Sequence, residues 1–264
     1  MRFDVITLFP ELFAPFLSAG INRRAFETGA VELKLWQLRD YADGTYRRVD
    51  DRPFGGGPGM VMLAEPLEKC LFDIRQDRVL KNPLEKPVPV VLFSPIGQAL
   101  NHAGVEKWSQ SDGAILICGR YEGLDQRFID THVDAQVSLG DFVLSGGEIA
   151  AIALLDAVAR LQPGVLNDEG SHQMDSFNPA LDGLLDCGHF TRPEVWKGIT
   201  VPPVLMSGHH AEIAKWRRQQ SLVLTQKSRP DLIASARLAG KLSPQDEYFL
   251  MSLGASGLVE SKSN

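Results

Sequence analysis

VPVVLFSPIG (residues 88–97), AILICGRYEG (114–123) and AQVSLGDFVLSGGE (135–148) share one construction: an apolar run of strand length followed by a loop containing glycine. Helical stretches near Val105 to Gln110 and from Leu124 to Thr131 separate them, and a long apolar helix, EIAAIALLDAVARL (148–161), follows the third. Strands that alternate with helices form a parallel sheet covered by helices, so the expected fold class is α/β. In such sheets ligands bind outside the carboxyl ends of the strands, where SPIG (94–97), GRYEG (119–123) and SLGDFVLSGGE (138–148) all fall. One such loop merely turns the chain; three after three consecutive strands compose a pocket. There is no GxGxxG after a strand and no phosphate-cradling P-loop, so both nucleotide fingerprints are absent. The loops offer backbone, aromatic rings (Phe93, Tyr121, Phe142) and few cations, which suits an adenine or another flat, weakly anionic ligand better than a triphosphate.

Upstream, RFDVITL (2–8) reads as a strand, and Pro10 to Phe26 as two short helices broken at Gly20. In VELKLWQL (31–38) apolar and other residues alternate with the period of a sheet. An irregular stretch from Asp43 to Gly59 follows, then a helix around Glu65 to Asp73 and a charged connector to Pro87. Within the irregular stretch, DDRPFGGGPGM (50–60) packs four glycines and two prolines between Pro53 and Gly59, the composition of a plain surface loop or of a lid or substrate clamp. The helix at 148–161 is apolar on most sides and is expected to be buried nearly all round. Beyond it, QPGVLNDEGSHQM (162–174) has linker composition. The expected organisation is therefore an α/β domain over 1–161, a flexible linker over 162–174 and a helical domain over 175–264. In the last of these, Ser243 is a candidate N-cap with Asp246 and Glu247 in the first turn.

The chain has 264 residues, 44% of them hydrophobic, enough for one large or two modest cores. A formal charge of −6 excludes a protein that coats nucleic acid by bulk electrostatics. Charge is nonetheless uneven: between His209 and Lys241 seven Lys or Arg face two acids, a local +5. Three widely spaced cysteines, Cys70, Cys118 and Cys187, support neither a disulfide framework nor a thiolate metal site. No apolar stretch approaches the ~20 residues that span a bilayer, and the N-terminal run is interrupted by Asp4. A cytoplasmic protein without membrane association is expected.

With SPIGQ, ICGRYEGLDQRF, SLGDFVLSGGE, DAVARLQPGVL, LLDCGHFTRPEVW and VPPVLMSGHHAEIAKWR in view, the chain resembles the bacterial tRNA (guanine-N1)-methyltransferases of the SPOUT superfamily, from its first residues to near residue 221. The resemblance implies a deep trefoil knot in the sheet, S-adenosylmethionine as methyl donor, and a homodimer with the active site between subunits. It assigns the cofactor to Phe93, Ser94 and Pro95, to Gly119, Tyr121, Glu122 and Gly123, and to Ser138, Leu139, Gly140, Phe142, Leu144, Gly146 and Gly147. The implied substrate is tRNA with guanosine at position 37, immediately 3′ of the anticodon, with Asp175 of the DSF motif as general base and Arg160 stabilising the guanine O6. Arg52, Gly57, Gly59, Arg120, Asp186, His189, Lys215, Arg217 and Arg218 are its candidate tRNA contacts. Magnesium assistance is implied too, with Glu122 the residue nearest that role, although no acidic cluster predicts a metal site. Taken alone, Asp175 reads as a helix N-cap, and Arg120 and Glu122 as an ion pair. The chain departs from the family pattern at Phe142, where Tyr is common, at Ala150, which replaces Pro, and in an NPAL insertion at 178–181. The competing readings are a non-catalytic tRNA-binding module and a ribose 2′-O-methyltransferase.

Overall fold

The computed structural model describes residues 1–84, 86–166 and 171–260. They fall into two compact units, Met1–Asn167 and Asp168–Asn264. The division lies inside the segment with linker composition, of which residues 167–170 are outside the described residues.

The first unit is built on five parallel strands: β1 (Arg2–Thr7), β2 (Glu32–Gln37), β5 (Val90–Ala99), β6 (Gly113–Ile117) and β7 (Ala135–Ser138), in the order β2-β1-β6-β5-β7. Two short strands, β3 (Asp50–Asp51) and β4 (Val61–Met62), pair antiparallel outside it. The alternation of side chains along a strand sends residues to two cores. Phe3, Val5, Val91, Ala114 and Leu116 face one side and pack with α1 (Ala14–Ser18), α2 (Gly20–Glu27), α4 (His102–Ser109) and α6 (Glu148–Arg160). Ile6, Val90, Leu92, Ile115 and Ile117 face the other and meet α3 (Ala64–Lys81) and α5 (Gln126–His132). A sheet covered on both faces is what near-continuous apolar strands require.

Two expectations need correction. The helix expected over 65–73 runs on to Lys81, and no charged connector begins at residue 74. Its charged second half has a reason to stay helical, because Arg78 turns inward and is buried. Arg78 Nη1 donates to Asp4 Oδ2 at 2.7 Å, while Arg2 (2.6 Å) and the Trp36 indole (2.8 Å) donate to Asp4 Oδ1. Asp4 is fully buried in a central strand, and these three donors are what make its charge tolerable there. Lys34 and Arg2 bond Asp77 at the edge of the same cluster and hold its carboxyl below the usual range, against the opposing effect of burial. The second correction concerns α6. It buries Ala151, Leu154, Leu155, Val158 and Ala159, yet leaves Ile149 exposed and Ile152 half-buried. A helix laid on one face of a sheet covers a single stripe, so the apolar character of its outer side is not accounted for within this unit.

The second unit packs α7 (His210–Ser228), α8 (Pro230–Leu238) and α9 (Pro244–Glu260) around Leu184, Leu222, Ile233, Ala236 and Leu250. Ser243 caps α9 as expected: its hydroxyl accepts the Asp246 N–H, and the Asp246 carboxylate accepts the Ser243 N–H and hydroxyl. The unit is not all helical. β8 (Val195–Trp196) and β9 (Ile199–Thr200) form a small hairpin turned at Lys197 and Gly198, both at positive φ.

Candidate active site

The carboxyl ends of β5, β6 and β7 enclose a cavity of about 400 Å³. Its first wall comes from within β5. Phe93 and Gln98 both register with Val137, so residues 94–97 bulge outward, and Phe93, Ser94 and Pro95 line the cavity. The loop after β6 contributes Gly119, Tyr121, Glu122 and Gly123, and the segment after β7 contributes Ser138, Leu139, Gly140, Phe142, Leu144, Gly146 and Gly147. The lining also includes Gln126 and Ile129, one turn apart on α5, and Gln136 on β7, which sequence reasoning missed. The i, i+3 spacing of the first two on the helix that follows GRYEG was the available signal.

Close approach of backbone holds these loops together. Gly147 N–H donates to Gly119 O at 3.0 Å, and a Cβ on Gly147 would lie 2.7 Å from Cys118 Cα. The Ser138 hydroxyl accepts the Gly140 N–H at 3.1 Å and closes the start of the third loop. Beneath the loops, Arg120 pairs with Glu148 rather than with Glu122. Arg120 Nη2 stands 2.9 Å from Glu148 Oε2, near enough for an ion pair but off the line of a hydrogen bond. Arg120 Nη1 donates to Ser145 O at 3.1 Å, and the guanidinium lies 4.4 Å over the Phe9 ring. Glu148 itself is only 1% exposed and accepts from the Thr7 hydroxyl at 2.8 Å. Arg120 therefore spans the second and third loops and helps to position them. Burial, with the Glu148 carboxylate adding to it, pushes the Cys118 thiol well up, so this buried cysteine is inert.

The glycine-rich segment is fastened to the same rim. Glu122 N–H donates to Met60 O at 3.0 Å, Met62 N–H to Gly123 O at 2.8 Å, and Asp125 N–H to Met62 O at 3.0 Å. Gly59, at φ +82, faces Glu122, where a Cβ would meet the carboxylate oxygen at 2.3 Å. Tyr121 is itself at φ +60. Burial, seconded by the Asp50 carboxylate and opposed by Arg39, raises its phenol pKa. Arg52 and Gly57 are exposed on the same segment.

Arg160 closes α6 in the first unit, and Asp175 belongs to the second. Asp175 follows a 3-10 turn (Ser171–Met174) and is no N-cap; the cap falls three residues later at Asn178, whose side chain accepts the Ala180 N–H at 2.9 Å. The DSF segment is tied to the LLDC segment, with Phe177 N–H donating to Leu184 O at 2.8 Å and Asp186 N–H to the Ser176 hydroxyl at 2.9 Å. LLDC is fixed in turn to α7, where Thr225 Oγ1 accepts the Leu185 N–H at 3.1 Å and the Ser221 hydroxyl donates to Leu185 O. This sets Asp186 Oδ2 2.9 Å from His189 Nε2. Lys215 and Arg217 are exposed, whereas Arg218 is held by Asp182 (2.8 Å) and Asp246 (3.0 Å). Arg218 thus belongs to an ion-pair cluster inside the unit.

The profile of the family described as tRNA (Guanine-1)-methyltransferase TrmD matches residues 1–235. The chain belongs to that family. It is 72% identical over 253 residues to a tRNA (guanine-N(1)-)-methyltransferase of Polaromonas sp., covering 96% of this chain and 97% of the relative. A protein of the same name from Paracidovorax citrulli is 66% identical over 253 residues, 96% of this chain and 98% of the relative. The family's methyl donor, S-adenosylmethionine, suits the cavity by shape and chemistry: glycine backbone where a Cβ would obstruct, flat rings at Tyr121 and Phe142, and no cluster of cations. Magnesium does not fit in the same way. Among the described residues no three His, Cys, Asp or Glu side chains converge, so no all-protein cage for a cation surrounds Glu122.

Proposed function

We propose that this chain transfers the methyl group of S-adenosylmethionine to N1 of the guanosine at tRNA position 37, immediately 3′ of the anticodon. The observation that carries the reading is the cavity built from three strand-end loops in a chain of this family. The donor supplies a methyl on a cationic sulfur, and it would lie against Phe93, Ser94 and Pro95, the 119–123 loop and the 138–147 segment. Guanine N1 carries a proton at neutral pH and becomes nucleophilic only when that proton leaves, so a general base is required. Asp175 is the base. Its carboxylate sits on a backbone bonded through Phe177 and Ser176 to the 184–186 segment, which gives it a fixed origin. Loss of the proton moves negative charge onto guanine O6, and Arg160 meets it there. The remaining contribution is alignment of N1 with the methyl carbon. Asp186 and His189, already paired, read the guanosine or its neighbour; Arg52, Gly57, Gly59, Lys215 and Arg217 contact the RNA.

The chain acts as a homodimer with its active site between subunits. The exposed apolar side chains Leu12 and Ile149, on the neighbouring 3-10 turn Pro10–Phe13 and on α6, support this. The knot of the family is supported by the 138–147 segment, which leaves β7 at the sheet edge and returns past β5 to bond Gly119 at the end of β6. A linker at 162–174 joins the α/β domain, 1–161, to the tRNA-binding domain, 175–264. A cytoplasmic location accords with three free thiols.

The test uses labelled S-adenosylmethionine with two tRNA transcripts, one with guanosine and one with adenosine at position 37. Label is expected in the first alone, at N1 of the base. Transfer to both transcripts, to neither, or to a ribose hydroxyl would overturn the assignment.

A further inference from the structure

The glycine-rich segment carries a side chain that neither fold nor proposed chemistry uses. Phe54 is 100% exposed. Tyr121 and Phe142, which line the cavity, keep about half their surface in contact, being 47% and 55% exposed. The segment bearing Phe54 is anchored on both sides. Asp50 pairs with Met62 and Asp51 with Val61, and the returning stem is bonded to the 122–125 backbone. Between these anchors the chain turns at Pro53 to Gly56, where Gly56 N–H donates to Pro53 O, and Gly55, Gly56 and Gly57 all take positive φ. None of these three glycines has an atom within 4 Å of a would-be Cβ, so the turn beside the ring is open. The result is one planar apolar group standing in water, two residues from the exposed Arg52, on a segment whose stem is bonded to the 122–125 backbone beside the cavity.

We infer that Phe54 is a stacking platform for an unpaired nucleobase of the tRNA beside the target guanine; this rests on the methyl-transfer reading above. A single exposed apolar residue is ordinarily unremarkable, so its setting has to decide the matter. A protein partner needs a contiguous apolar patch, and three glycines beside one ring supply none. A base needs only one open, flat face and a nearby cation for its phosphate, and aromatic rings are the usual means by which proteins hold unstacked RNA bases. Anchoring the arm to the 119–123 loop fixes where the base is held relative to the methyl donor. Phe54 thus selects a splayed anticodon loop over a stacked one, a choice of RNA shape that the cavity cannot make.

The experiment compares wild type with Phe54→Ala, Phe54→Leu and Phe54→Trp, measuring tRNA affinity by anisotropy, methyl-transfer KM for tRNA, and S-adenosylmethionine affinity by calorimetry. Base–aromatic stacking is worth about 1–3 kcal/mol, a factor of about 5–150 in affinity. Phe54→Ala and Phe54→Leu are expected to weaken tRNA by such a factor, Phe54→Trp to retain affinity, and all three to bind S-adenosylmethionine and melt like wild type. Unchanged tRNA affinity in Phe54→Ala overturns the inference, as does full function in Phe54→Leu, which keeps the apolar contact without a plane. A shift of Phe54→Ala from dimer to monomer in sedimentation also overturns it, since the ring would then be covered by a second copy. If wild type transfers no methyl to tRNA, the functional reading itself fails; an active wild type with an unaffected Phe54→Ala strikes Phe54 alone.

Discussion

Replacing Gly147 with Ala tests whether the second and third loops owe their closeness to a missing methyl group. Gly147 has φ −78° and ψ −7°, values open to any residue, so backbone strain plays no part. The added Cβ would lie 2.7 Å from Cys118 Cα, 3.2 Å from Gly119 N and 3.3 Å from Cys118 C. Carbon atoms prefer separations of about 3.5–4.0 Å, so the gap must open by roughly 0.8 Å or more. All three obstacles are backbone at the end of β6, where Cys118 N–H is bonded to Ile6 O in the neighbouring strand, and no rotamer can relieve them. The movement falls on the start of α6, where Glu148 is held by Thr7 and Arg120. Overpacking of this kind costs about 1–3 kcal/mol, and each kcal/mol is worth about 2–4 °C in Tm for a domain of this size. The same movement parts two walls of the cavity, so S-adenosylmethionine affinity is expected to fall about tenfold or more, equivalent to about 1.4 kcal/mol. Scanning fluorimetry and calorimetry read the two effects, with Gly188→Ala as control, because a Cβ there meets nothing within 4 Å. Wild-type Tm and affinity in Gly147→Ala would refute the packing argument; a lowered Tm with unchanged affinity would leave the packing intact and place the cofactor elsewhere.

Asp175→Asn is expected to lower single-turnover methyl transfer by about 10²- to 10⁴-fold while S-adenosylmethionine still binds, and near-normal turnover would put the base at another residue. Asp4→Asn removes the buried carboxylate that Arg2, Arg78 and Trp36 all bond and should cost about 3–5 kcal/mol in urea unfolding of the α/β unit. Lys215→Ala and Arg217→Ala are each expected to reduce the slope of log tRNA affinity against log salt by up to about one, whereas Arg218→Ala should leave the slope and instead lower the stability of the helical unit. Burial works to raise the Asp246 carboxyl, but bonds from Arg218 and Ser243 outweigh it and hold it below the usual range. A carboxyl lowered on folding stabilises above its unfolded pKa and stops doing so as the pH falls through its folded one. The helical unit should therefore melt earlier as the pH drops below the ordinary aspartate range, and this acid sensitivity should shrink in Asp246→Asn.

Period and punctuation made the sheet legible. VPVVLF, AILIC and AQVSL each stand where a parallel strand is found, and the loops after them meet in one cavity, because a parallel βαβ order forces every strand end to the same edge. What stayed hidden was decided by partners distant in the chain. The stretch from Ile74 to Lys81 reads as a solvated connector until Asp4, some seventy residues earlier, is seen to receive Arg78. Likewise, five cations in or near the expected RNA surface look alike in sequence: Arg52, Arg120, Lys215, Arg217 and Arg218. Glu148 pairs with Arg120, Asp182 and Asp246 pair with Arg218, and Arg52, Lys215 and Arg217 are left exposed. The bond from Arg218 to Asp182 falls directly after the NPAL insertion, where Asp182 takes a left-handed conformation at φ 59 and Leu181 O also accepts from Arg218. The inserted residues thus end in a turn clamped to α7, which lets the chain lengthen between Asp175 and Asp186 without loosening either: the Phe177–Leu184 and Ser176–Asp186 bonds close the loop at its base. Residues 178–181 form a bulge on the far side of those two bonds, and the placing of Asp175 relative to Asp186 is set by the bonds and not by the number of residues in between.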